Sequence, residues 1–258
     1  MNENFIKNSF EKLLMNSKNE RKNLIKKKCV IVSSLEKPKV KDYLINFTNC
    51  CYNRMLDIFD DTIFLLENNK IQSACTISRA MIETHAFLIF TIDKLNKLMQ
   101  KKNVTREELI ISLLESINSS RAKVDEQKRF KKGEFKLENY QFTEQAQNRI
   151  KNAEAINTNV MDALRNLYKQ QIEAGITSDI PSEASAEQVY NLLSEWVHPS
   201  QTSLFTNYVE ETHIVSCRLG QINVFEHAKF LCAQALYYIC NLEKNYNVIL
   251  KLSNDLPD

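Results

Sequence analysis

The chain has 258 residues, with 34 lysines and arginines against 32 aspartates and glutamates, for a formal net charge of +2. That length suits one large domain or two small ones, and the near balance of charge excludes the global basicity of a dedicated DNA-binding domain. Apolar residues at 43% and charged residues at 26% are ordinary, but glycine, with 3 residues, is scarce. Tight β-hairpins draw on glycine where φ must be positive, so the composition points to long helices joined by few loops. The expected fold is all-α, a bundle of about seven or eight long antiparallel helices.

Seven cysteines form no C-x-x-C pair, and Cys50 and Cys51 are adjacent, a poor geometry for bridging each other. The expectation is seven reduced core thiols in a cytosolic protein. The N-terminal MNENFIKNSFEKLL has no apolar signal core, and the most apolar run, AFLIFTI at 86–92, is far short of a bilayer span. A soluble, cytoplasmic protein with no membrane partner follows as the expectation. Abundant Lys, Asn and Ile with scarce Gly and Pro suggest an AT-rich, bacterial genome.

The elements follow in chain order, with glycines and prolines as punctuation. A basic helix is expected over 3–28, then a connector, VIVSSLEKP, at 30–38; together 1–38 form an N-terminal unit ahead of a single bundle domain at 39–258. Helices at 39–67 and 70–100 form an αα-hairpin. Thr105 with Glu108 makes a capping box, opening a helix to about 132. The stretch 119–155 is the most polar in the chain, and a further helix is expected over 143–174. Ser185 with Gln188 opens a short helix to about 198, followed by helices at 202–218 and 221–252. Two basic clusters, Arg21, Lys22, Lys26, Lys27 and Lys28, and Lys128, Arg129, Lys131 and Lys132, read as solvated faces or as phosphate-backbone contacts.

The helix at 70–100 is apolar nearly all round between Ala80 and Ile92, the mark of a buried helix. Yet Gln72, Thr76, Arg79 and Glu83 step by four, three and four residues and share one face. A buried polar stripe needs partners, and Arg79 and Glu83 are spaced to pair with each other. Tyr190, Ser194 and His198 also step by four, with Pro199 ending the helix just after His198. The two stripes would satisfy each other across a cleft; otherwise His198 simply ends its helix. Asn223, His227 and Gln234 form a third stripe, which core hydrogen bonding explains equally well.

ACTISRAMIETHAFLIF and YNLLSEWVHPS together resemble a family of bacterial helical proteins known only as a domain of unknown function. Its R-x-x-x-E and Y-x-x-L-S-x-x-x-H-P/G-S elements map to Arg79 and Glu83, then to Tyr190, Leu193, Ser194, His198 and Ser200. The match covers two short elements within 70–200 and implies no activity. RAMIETH is also similar to the arginine–histidine signature of HEPN nucleases, with five residues between Arg79 and His85. Those nucleases usually place a polar residue after the arginine, where this chain has Ala80.

The HEPN resemblance implies a metal-independent ribonuclease, a toxin or phage-defence effector that needs no cofactor, takes RNA as partner and works as a homodimer. The RNA 2′-hydroxyl would attack its own phosphate. Arg79 would stabilise the phosphorane, with His85 or His198 as proton-transfer groups and Glu83 beside them. The alternative is a non-enzymatic helical module in which Tyr190, Ser194, Gln72 and Thr76 join Arg79 to bind a small anion, or which binds a protein partner. Glu-x-x-His occurs at Glu195–His198 and Glu210–His213, too close in sequence for facing helices of a di-metal bundle. No P-loop, G-x-G-x-x-G or G-x-S-x-G is present, which argues against nucleotide hydrolysis, dinucleotide redox chemistry and the common serine-hydrolase fold.

Overall fold

The computed structural model describes residues 3–32, 35–36, 39–101, 103–106, 108–109, 112–113, 160–173, 185–208, 214–217 and 220–256. The protein is an all-α bundle. Among the described residues its bounded helices are α1 (Glu3–Arg21), α2 (Val40–Glu67), α3 (Ile71–Met99), α4 (Val160–Glu173), α5 (Ala186–Val197), α6 (Gln201–Tyr208), α7 (Val224–Leu236) and α8 (Leu242–Asn254). A 3-10 turn, Tyr237–Asn241, joins α7 to α8. One two-stranded antiparallel hairpin, β1 (Ile214–Cys217) and β2 (Gly220–Asn223), lies between α6 and α7, with Cys217 paired to Gly220.

The α2–α3 hairpin is set by its loop. Lys70 N–H donates to Leu65 C=O at 2.8 Å and Asn69 N–H to Leu66 C=O at 3.1 Å, the two bonds of a Schellman C-cap. Asn69 supplies the left-handed residue, with φ 54°, and Asn103 does the same after α3 with φ 65°. Asparagine tolerates that region by bonding its own backbone, so a helical chain turns here without glycine.

The apolar run of α3 puts it at the centre, packed on α2, α4, α5 and α7. One core cluster joins Ala74, Ile82 and Ala86 of α3 to Leu164 of α4, Leu193 and Trp196 of α5, and Leu231 of α7. A second joins Leu44 of α2 and Leu95 of α3 to Leu109, Leu113 and Ile249. A third places Tyr52, Met55 and Phe59 of α2 against Met81, Ile239 and Leu242. Two buried hydroxyls return to their own helix: Thr48 donates to Leu44 C=O at 2.7 Å and Thr91 to Phe87 C=O at 2.8 Å.

Three sequence expectations are corrected. The first helix stops at Arg21 rather than near 28, and residues 24–31 carry no helix or strand and lie against α2. Asparagine side chains one face apart on α2 hold that strap. Asn53 exchanges bonds with Lys27 N–H and C=O at 2.7 and 2.8 Å, Asn49 donates to Lys28 C=O at 2.7 Å, and Asn46 accepts from Val30 N–H at 2.7 Å. Backbone groups paired this way are not free for a helical ladder. The helix expected over 202–218 ends at Tyr208, and the β-branched IVSC segment pairs as a strand instead. The long last helix is broken by the 3-10 turn.

The expected N-terminal unit is joined to the bundle, with α1 packed on α7 and the 3-10 turn. Three members of its basic cluster are ion-paired: Arg21 with Asp60 at 2.6 Å, Lys26 with Asp57 at 2.5 Å and Lys27 with Glu243 at 3.2 Å. Phosphates would have to displace these carboxylates. The second basic cluster, the polar stretch 119–155, the first part of the 143–174 helix and both residues of the Glu210–His213 pair lie outside the described residues. The capping boxes sit as expected in part: Thr105 N–H meets Glu108 Oε2 at 2.9 Å, and Ser185 Oγ accepts from Gln188 N–H at 3.2 Å. Among the described residues no helix is long and apolar enough to cross a membrane.

Candidate functional site

The two polar stripes meet at one point. Arg79 Nη2 donates to the Tyr190 hydroxyl, and that hydroxyl donates to Glu83 Oε1 at 2.9 Å. Glu83 also pairs with Arg79 Nη2 at 3.1 Å, and the guanidinium lies over the Tyr190 ring, 4.5 Å from its centroid. The result is a closed triangle between α3 and α5. Helix spacing brings it about: Arg79 and Glu83 are one turn apart, and Ala186, Val189, Leu193 and Trp196 bury the stripe of α5 beside Tyr190 and so fix its rotation.

The triangle stands at the edge of the core rather than within it. The Arg79 and Glu83 side chains keep 22% and 31% of their exposure, so the ion pair itself adds only a few tenths of a kcal/mol. Burial pushes the Tyr190 phenol above its ordinary value; the Arg79 donation opposes that rise and the Glu83 charge adds to it. Arg79 uses a single nitrogen for both partners. Its Nε is enclosed and meets no protein acceptor, and Nη1 has no partner among the described residues. A guanidinium carries five N–H donors, so most of this one is held in reserve.

The other residues singled out from the sequence fall elsewhere. Gln72 is half-buried, and Thr76 is exposed with its hydroxyl bonded to Gln72 C=O at 3.0 Å. Ser194 returns its hydroxyl to Tyr190 C=O at 2.7 Å. His198 is exposed and caps α5: its N–H meets Ser194 C=O at 3.2 Å, and its own C=O accepts from Ser203 Oγ at 2.6 Å and Ser200 N–H at 2.7 Å. Among the described residues no hydrogen bond joins its ring to Arg79 or Glu83. The eight residues from Tyr190 to His198 place it about 12 Å along the axis.

His85 is a core residue. Its ring is tilted against Tyr238, 4.6 Å between centroids, and complete burial lowers its pKa from 6.5 to about 4. Nδ1 is enclosed without a partner. Asn223 is the N-cap of α7, accepting from Phe225 N–H at 2.9 Å, and His227 is held below its ordinary pKa by burial. Among the described residues no cluster of three His, Cys, Asp or Glu could hold a metal ion.

Sequence reasoning missed a second polar constellation. Lys27 Nζ sits 4.7 and 4.5 Å from the ring centroids of Tyr52 and Tyr246 and pairs with Glu243 at 3.2 Å. Tyr52 donates its hydroxyl to the same carboxylate at 2.6 Å. The lysine lies in the strap and the cage lies on α2 and α8, a contact spanning 216 positions that no local pattern announces.

No protein-family model matches the chain, and neither the curated proteins nor the solved structures contain one significantly similar to it.

Proposed function

We propose that the protein is a non-enzymatic helical module that binds a small anionic ligand, of phosphate or carboxylate type, through Arg79 at the α3–α5 edge. The observation that carries this reading is the unspent guanidinium: both protein partners share Nη2, which leaves Nη1 without a partner among the described residues. A hydrogen bond from Nη1 to an anion is charge-assisted, about twice as strong as a neutral one. Tyr190 and Glu83 hold the group in place while the site is empty of ligand. The test is thermal unfolding with and without inorganic phosphate or a nucleoside monophosphate. A raised midpoint that disappears in Arg79→Gln, with helix content intact, supports the reading; a shift that survives in the variant removes Arg79 from it.

A second reading, the metal-independent ribonuclease acting as toxin or phage-defence effector, keeps Arg79 and moves the proton-transfer role from His85 to His198. Its favouring observation is that His198 is exposed on the helix that carries Tyr190. The exposed His198 ring is open to a substrate, whereas the enclosed His85 cannot reach one. RNA integrity after induced expression tests it. Cleavage abolished by both Arg79→Ala and His198→Ala supports a nuclease; intact RNA in all three strains rules it out.

A further inference from the structure

Cys29 and Cys50 lie outside the reading of seven core thiols. Cys51, Cys75 and Cys232 are buried, but Cys29 and Cys50 are exposed. Cys29 lies within the strap and Cys50 is on α2, and their sulfurs stand 3.6 Å apart. Asn53 Nδ2, which also donates to Lys27 C=O at 2.8 Å, reaches Cys29 Sγ at 3.4 Å. The same asparagine ladder that lays the strap on α2 thus delivers one thiol to the other. Among the described residues the other sulfur pair in contact, Cys75 and Cys232 at 3.7 Å, is sealed in the core.

We propose that Cys29 and Cys50 form an oxidisable dithiol, closed to a disulfide by a low-molecular-weight disulfide, which fastens the strap to α2. Sulfurs in van der Waals contact stand close to bonding distance, and the strap on either side of Cys29 is already hydrogen-bonded to α2 through Lys28 C=O and Val30 N–H. The Cys29 thiolate attacks one sulfur of the small disulfide, and one small thiol leaves. Cys50 then loses its proton and attacks the Cys29 sulfur of the mixed disulfide, and the second small thiol leaves. Two protein thiols are oxidised and one small disulfide is reduced to two thiols, so electrons and protons balance.

The closed form pins the chain two residues beyond Lys27, whose ammonium is seated between Tyr52, Tyr246 and Glu243. Opening of the strap, which would withdraw Lys27, is blocked while the bond stands. Loss of the small-thiol pool reverses nothing; an excess of it reopens the bond.

The experiment treats the reduced full chain with oxidised glutathione, blocks remaining thiols and maps the cross-link by mass spectrometry. The expected product lacks two hydrogens, links Cys29 to Cys50 within one chain, and forms in Cys240→Ser but not in Cys29→Ser or Cys50→Ser. Hydrogen exchange at the Lys27 and Val30 amides, both bonded to the asparagine ladder, should slow about tenfold on oxidation. A stable mixed disulfide, a link through Cys51, a link between two chains, or unchanged exchange at those amides would each overturn the proposal.

Discussion

Arg79 and His85 occupy one helix six residues apart, yet one meets α5 at a half-open edge and the other packs on Tyr238 inside the bundle. Six residues are about one and two-thirds turns, so the pair diverges around the helix. The spacing that resembles a nuclease signature therefore does not bring its two side chains to one place. Burial of His85 gives the first prediction. Its folded pKa, about 4, is below the unfolded 6.5, so the unfolded chain takes the proton first as pH falls. Stability should drop through that window by about 3 kcal/mol. His85→Leu should remove this share of the loss, read from urea midpoints at pH 7 and pH 4.5; His227, shifted the same way, stays in both proteins. Equal pH dependence in the two proteins would refute the burial account.

Tyr190→Phe keeps the ring over the guanidinium but removes the hydroxyl that bridges Arg79 and Glu83. The variant should lose about 1–2 kcal/mol in chemical denaturation. No loss would mean that the two charged side chains are satisfied equally well by water.

Lys27→Met tests the cage. The methionine stem still packs on Tyr52 and Tyr246, while the cation and its pairing with Glu243 are gone. A loss of about 1–2 kcal/mol is expected, smaller at high salt because the carboxylate contact is screened. A salt-independent loss would assign the effect to packing instead.

The architecture was legible because its signals are local. Apolar periodicity placed α2 and α3 within a residue of their ends, and the two S/T-x-x-E/Q patterns marked helix starts. The step-of-four stripes named Arg79, Glu83 and Tyr190, since neighbours on a face are fixed by helix geometry. What the pattern could not supply was the rotation of α5, which brings Tyr190 to the stripe and leaves His198 in solvent. Tertiary pairing overrode local preference in the strap, where a basic helix-like segment is bonded to Asn46, Asn49 and Asn53 instead of forming a helix. The scarcity of glycine pointed away from hairpins, yet one forms with Gly220 at its turn end.

The anion-binding account stands or falls with the competition between Glu83 and a ligand for one guanidinium. The most direct measurement is calorimetric titration of inorganic phosphate into wild type, Glu83→Gln and Arg79→Gln. Removing the carboxylate lifts a like-charge repulsion against the incoming anion, so Glu83→Gln should bind about tenfold more tightly than wild type. Arg79→Gln should show no binding heat. Affinity unchanged in Glu83→Gln, or retained in Arg79→Gln, would contradict the assignment of Arg79 as the anion receptor.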